Sequence, residues 1–170
     1  MKQPSLSYCV AIHESAHVVT RYVLFGNIDI IEYVSINQHG ESLGRNKEIT
    51  GKKIIEMGNA YENDDNFLGV DGYAFKECCY SLAGVVAEKV VFGLETIPFE
   101  GAGEDLESLY CFLGMVCDTP TIDSLKQAAI PKTESLVREN IGLIERIADA
   151  LMEAPNHRLD GSFISSILSK

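Results

Sequence analysis

His13, Glu14 and His17 spell H-E-x-x-H within the segment AIHESAHVV. Residues four apart lie one turn apart on the same side of an α-helix, so both imidazoles can approach one metal ion at about 2.0–2.1 Å, the ligand distance of zinc. Glu14, next to the first histidine, reaches the water that such a metal activates rather than the metal. That water is far more acidic than bulk water, and a neighbouring carboxylate can take its proton as the oxygen attacks a peptide carbonyl. Glu14 would then be the general base, passing the proton on to the leaving amine while zinc polarises the carbonyl. The two histidines sit among Val10, Ile12, Val18 and Val19, where unpaired imidazoles would be costly to bury.

A catalytic zinc needs a third protein ligand. The carboxylates available downstream are Glu88, Glu100, Glu104 and Asp105, with His39 as an imidazole option, and spacing does not choose among them. Glu88 shares a small-residue face with Ser81 and Gly84, which suits close approach to the metal helix; the alternative is an ordinary helical carboxylate. Asp105 follows two glycines in a first helical turn, where a short side chain is rigidly aimed but is also a common helix cap. Cys9, one turn before His13, can approach the metal face, although a buried structural thiol is the commoner role. The odd set of Cys9, Cys78, Cys79, Cys111 and Cys117 contains no C-x-x-C pair, which fits reduced thiols and leaves a metal to His and carboxylates.

The elements that must position these residues are mostly helical. Ser5 to about Phe25 is apolar on most sides, with Ile12, Ala16, Val19 and Val23 at helical spacing and Gly26 as a stop. Ile28 to Ile36 is β-branched and alternating, with Asn37 to Gly40 as a turn, predicting a strand or hairpin. Glu41 to Asn66 has glycines, paired lysines and a polar ENDDN run, and reads as loop with short strands, a mobile flap. A helical period returns between Asp71 and Phe92, where Phe75, Cys79, Leu82, Val86 and Val90 share a face. Glu104 to Val116 reads as a helix with acids in its first turn. Pro131 should open another long helix, with Val137, Ile141, Ile144, Ala148 and Leu151 as its packing stripe and Pro155 as its end, before a short last helix. The sequence thus predicts a mainly α single domain over 1–170 with a small β element. Its parts are a metal-site helix (1–26), the β element and flap (27–66), helices carrying the third ligand (67–118) and C-terminal helices (119–170).

Composition agrees with one folded domain: 170 residues, 46% apolar and 23% charged. A net charge of -11 disfavours nucleic acid and anionic membrane surfaces as partners. No apolar run reaches the roughly 18 residues of a membrane span, and the start, MKQPSLSYCV, lacks the order of a secretory signal, so a cytoplasmic location without membrane insertion is expected.

Four blocks in order resemble the peptidase domain of the FtsH-type membrane-anchored, ATP-dependent zinc metalloproteases, and they span nearly the whole chain. They are AIHESAHVV followed by VSI at Val34 to Ile36 with Gly40 and Gly44; SLAGVVAEKVVFG from Ser81 to Gly93; GAGEDLESL from Gly101; and the long helix followed by RLDGSFISSIL. The resemblance implies Zn2+ held by His13, His17 and Asp105, with Glu88 supporting the site by orienting a ligand. It also implies a mainly helical fold whose small β element offers an edge to an extended peptide, at Ile28 to Ile36 or after Gly40. The expected activity is hydrolysis of peptides or unfolded proteins as a zinc metalloendopeptidase. Departures are the absence of a membrane span and of a G-x-x-x-x-G-K-[ST] phosphate loop, Ser15-Ala16 where the family has Ala-Gly, and Val85 where an Arg is common. The alternatives are a non-catalytic zinc-binding interaction module, or a peptidase subunit served by an ATPase on another chain; the protein partners considered are a separate ATPase or a second copy of the chain in a homo-oligomer.

Overall fold

The computed structural model describes residues 5–37 and 43–169. His39 and most of the turn expected at Asn37 to Gly40 lie outside them. The architecture is mainly helical, with seven α-helices and one three-stranded sheet among the described residues.

Two helices of twenty residues form the centre. In α1 (Leu6–Phe25) the Ser5 side chain accepts from the Tyr8 N–H at the N-terminus, and Gly26 closes the helix with φ 76°. Every residue from Ala11 to Arg21 is buried, which is why α1 reads as apolar on most sides rather than as a stripe. In α3 (Tyr73–Phe92) the chain likewise ends in a left-handed glycine, Gly93. Helix α3 packs on α1 and on α5 (Thr119–Glu139), and α6 (Ile141–Glu153) covers another side of α1. The core of Ile12, Val18, Leu82, Val86, Ile122, Ile144, Ile147 and Leu151 lies between these four helices, all of it essentially excluded from solvent.

The sheet has the order β2-β1-β3, antiparallel throughout, with β1 (Ile31–Ser35) central, β2 (Arg45–Glu48) on one side and β3 (Arg158–Asp160) on the other. Val34 stands opposite Asn46 in β2 and Leu159 in β3. Strand β1 is central and paired on both sides over Tyr33 to Ser35, so of the two places expected for an edge it is the segment after Gly40, in β2, that lies at an edge of the sheet. Ile28 and Ile30 are buried ahead of the strand proper.

In the described part of Glu41 to Asn66, β2 supplies a short strand as expected, but helix α2 (Thr50–Asn63) stands where loop and flap were expected. Only Met57 of α2 is buried, while Ile54, Ile55 and Tyr61 are exposed, so no apolar period announces the helix. Charge secures it. Lys53 Nζ lies 3.1 Å from Glu77 and 3.0 Å from Glu48, and Glu56 pairs with Arg21, which also lies 3.4 Å from Glu77. Arg21 and Glu77 are 0% and 1% exposed, so this chain of ion pairs runs through the interior from α1 through α3 to α2 and β2. Breaking a buried pair leaves an uncompensated charge, at a cost of about 3–5 kcal/mol. Glu77→Ala should therefore lower the melting temperature by roughly 10 °C, whereas a change at exposed Glu62 should leave a thermal melt unaltered.

Pro131 does not open a helix. Helix α5 starts at Thr119 with Pro120 in its first turn and Asp118 capping Thr121 N–H at 3.0 Å, and runs through Pro131 to Glu139. Buried Ala129 and Thr133 either side of the proline hold the helix against its neighbours, with Thr133 Oγ1 donating to the Ala129 carbonyl. The stripe from Val137 to Leu151 is split at Asn140, whose side chain donates to the Leu136 carbonyl, so it spans two helices rather than one. Strand β3 precedes the last helix, α7 (Gly161–Leu168), where the sequence suggested only a lead-in. Among the described residues no helix is long and apolar enough to cross a membrane.

Candidate metal centre

His13 and His17 project from α1 toward α3 and the start of α4 (Gly103–Leu113). What lets α3 come so close is Gly84. A Cβ built there would lie 2.3 Å from His13 Nε2 and within 2.5 Å of two ring carbons. The small face of Ser81, Gly84 and Glu88 thus meets the metal helix as its composition suggests. One turn beyond Gly84, Glu88 Oε1 lies 2.6 Å from His13 Nδ1.

Asp105 reaches the histidines from the first turn of α4, after a 3-10 turn at Phe99–Ala102. It caps nothing. The N-cap position is Ala102, and the Asp105 carboxylate is spent on the histidines, Oδ2 lying 3.1 Å from His13 Nε2 and 3.3 Å from His17 Nε2. His13, His17 and Asp105 each offer one ligand atom, all within 4.8 Å of one another. Of the other third-ligand candidates, Glu88 contacts the opposite nitrogen of His13, and Glu100 and Glu104 line the cleft without joining the cluster.

The hydrogen bonds decide what those atoms can do. His17 Nδ1 lies 2.7 Å from the Tyr80 carbonyl, which can only accept, so Nδ1 carries a proton and Nε2 is the nitrogen turned toward Asp105. His13 is set the same way by Glu88. Two imidazole Nε2 atoms and one carboxylate oxygen therefore converge. His17 Nε2 is buried, and although it lies 3.3 Å from Asp105 it has no aligned hydrogen bond. Protons on Nε2 make these contacts ion pairs, and a metal ion would take the place of those protons. By donor type and proximity the three residues fit a divalent metal ion.

The protonation equilibria reflect these pairings. Burial disfavours charge on His13, yet its hydrogen bonds to Asp105 and Glu88 outweigh this and raise its pKa to about 10. His17 is raised too, with burial opposing and Asp105 prevailing. Burial acts upward on Asp105, but the two histidines hold it well below the usual carboxylate range.

The chain matches no protein-family model and no curated protein. Its chemistry rests on its own geometry.

Glu14 is outside the ligand cluster and beside it, 7% exposed, at the wall of a cleft of about 730 Å³. Burial raises its pKa above the usual carboxylate value, with His13 and His17 pulling the other way. The cleft is lined by the whole of β2, by Gly101, Gly103, Glu104, Asp105, Ser108 and Leu109, and by Lys53 and Tyr80. Cys9 lines it without joining the cluster. Two contributors had no sequence signal. The Tyr80 carbonyl is a backbone group that any residue would supply, and Asn46 sits in a short strand with no motif around it.

Proposed function

We propose that this chain is a zinc metalloendopeptidase acting on extended peptides and unfolded protein segments, similar to the proteolytic domain of the FtsH-type family. The observation that carries the proposal is the convergence of His13 Nε2, His17 Nε2 and Asp105 Oδ2 beside a buried carboxylate that is not one of them. Zinc, when bound, supplies a Lewis acid that polarises a carbonyl and acidifies water. The chain's residues do the rest. Glu88 and the Tyr80 carbonyl hold the two imidazoles in their tautomers and keep Nε2 of each facing inward. Glu14 accepts the proton of the attacking water and returns it to the leaving amine, a task for which a buried carboxylate with a raised pKa is better matched than a solvated one.

Strand β2 supports the substrate class. It is an edge strand, paired with β1 alone, and its residues Arg45 to Glu48 line the cleft. A peptide adding to that edge would run extended past Glu14, with its main chain doing the binding. Folded proteins do not expose a main chain in that form, so unfolded segments are the expected substrates.

Purified protein should hold stoichiometric zinc, cut an unfolded casein-like substrate, spare a stable folded domain, and lose activity to a chelator with recovery on adding zinc back. A folded, zinc-loaded protein that cuts no unstructured substrate would overturn the proposal and leave a zinc-binding interaction module.

A further inference from the structure

The edge strand is also tied to the acid–base residue. Asn46 Nδ2, in β2, lies 3.0 Å from the main-chain carbonyl of Glu14 and within hydrogen-bonding distance of Glu14 Oε2. An amide nitrogen carries two hydrogens, so one side chain can hold both the backbone and the carboxylate of the same residue. The amide's orientation is settled by its partners, since the reverse would set its oxygen against two acceptors. Its own oxygen, Oδ1, is buried and unpartnered among the described residues.

A second contact comes from two residues earlier. A Cβ at Gly44 would lie 2.6 Å from Glu14 Oε1 and 2.9 Å from its Cγ. The residue just before β2 thus leaves no room beside one carboxylate oxygen, and the strand holds the other with an amide. Asn46 is itself registered opposite fully buried Val34 of β1, so its place is set by the sheet.

We infer that Asn46 is the positioning residue for Glu14, fixing the direction of its carboxylate, and that β2 sets the base and the bound peptide from one rigid reference. The inference rests on the peptidase reading, because it is the edge of β2 that would take the peptide. It assigns to the strand a catalytic consequence as well as a binding one. Misplacing a reacting group by about 1 Å can cost on the order of 100-fold in rate.

The test compares parent, Asn46→Ala and Asn46→Gln in two ways. With a fluorogenic unstructured peptide, Asn46→Ala should lower kcat by about 10- to 100-fold while zinc content, melting temperature and KM stay near those of the parent. Asn46→Gln, which keeps the amide donor, should recover part of the loss. In crystal structures of the zinc-loaded proteins, Glu14 should keep one carboxylate orientation in the parent and lose it in Asn46→Ala. An unchanged kcat, an unmoved Glu14 carboxylate, or a joint loss of zinc, stability and KM would each overturn the inference. A zinc-loaded parent that cuts nothing would sink the peptidase reading instead, and the orientation of Glu14 in the two crystals would still decide whether Asn46 sets it.

Discussion

Glu14→Gln should keep the zinc, keep the fold and lose the activity, with kcat on an unfolded substrate falling by about 100- to 10,000-fold, the usual worth of a positioned general base. The three atoms that converge on the metal position belong to His13, His17 and Asp105, so replacing Glu14 removes no ligand. Glutamine has nearly the same shape as glutamate, and its amide can still meet the Asn46 side chain, so the wall of the cleft need not repack. What it cannot do is take a proton at neutral pH. Zinc content by atomic absorption and turnover on an unstructured peptide, measured on the same preparations, separate the possibilities. Loss of zinc would make Glu14 a metal-site support rather than the base, and full activity would place the base elsewhere.

The second large effect is expected at Gly84→Ala. In the middle of a helix this exchange ordinarily stabilises, by about 0.5–1 kcal/mol, because alanine is the better helix former. At Gly84 the added carbon would lie 2.3–2.5 Å from three atoms of the His13 ring, so the ring or the helix must move. His13 has little freedom to yield, being held by Glu88 on one nitrogen and facing Asp105 with the other. Overpacking of this kind costs about 1–3 kcal/mol, and a displaced imidazole should weaken zinc binding by about 10- to 100-fold, as loss of a ligand's supporting contact does. Gly58 is the control. It lies in α2 with nothing within 4 Å of an added Cβ, so Gly58→Ala should raise the melting temperature slightly and leave zinc affinity alone. Competitive zinc titration and thermal melts of both variants check the pair; equal zinc affinity in Gly84→Ala and parent would show that the approach of α3 does not set the His13 ring.

Within a single element, the sequence was legible to the residue. The two histidines are four apart, and a helix repeats every 3.6 residues, so their common side follows from the spacing alone. Gly26 and Gly93 close α1 and α3 in the left-handed conformation that marks a helix end. The small face of Ser81, Gly84 and Glu88 was likewise visible, because a local period writes it.

Between elements, legibility failed, and for one reason: which residues meet across the interior depends on packing that no local pattern records. Asp105 is 92 residues from His13 and by spacing was one of five candidates for the third ligand; only the family resemblance singled it out, and the first turn of α4 brings it to the histidines. Helix α2 was missed because buried ion pairs secure it in place of an apolar stripe. Strand β3 was missed because three residues carry no period, and α5 was started too late because tertiary packing carries a helix through Pro131. Asn46 is the plainest case. Nothing in its neighbours marks it, and only the pairing of β2 with β1 brings its amide to Glu14, 32 residues away. The sequence by itself determined that two imidazoles and a carboxylate share a helix face, and its likeness to a known family singled out Asp105; the tertiary structure alone decided that Asp105 meets both histidines and that Asn46 meets the Glu14 carboxylate, since those contacts form only when separate elements pack together.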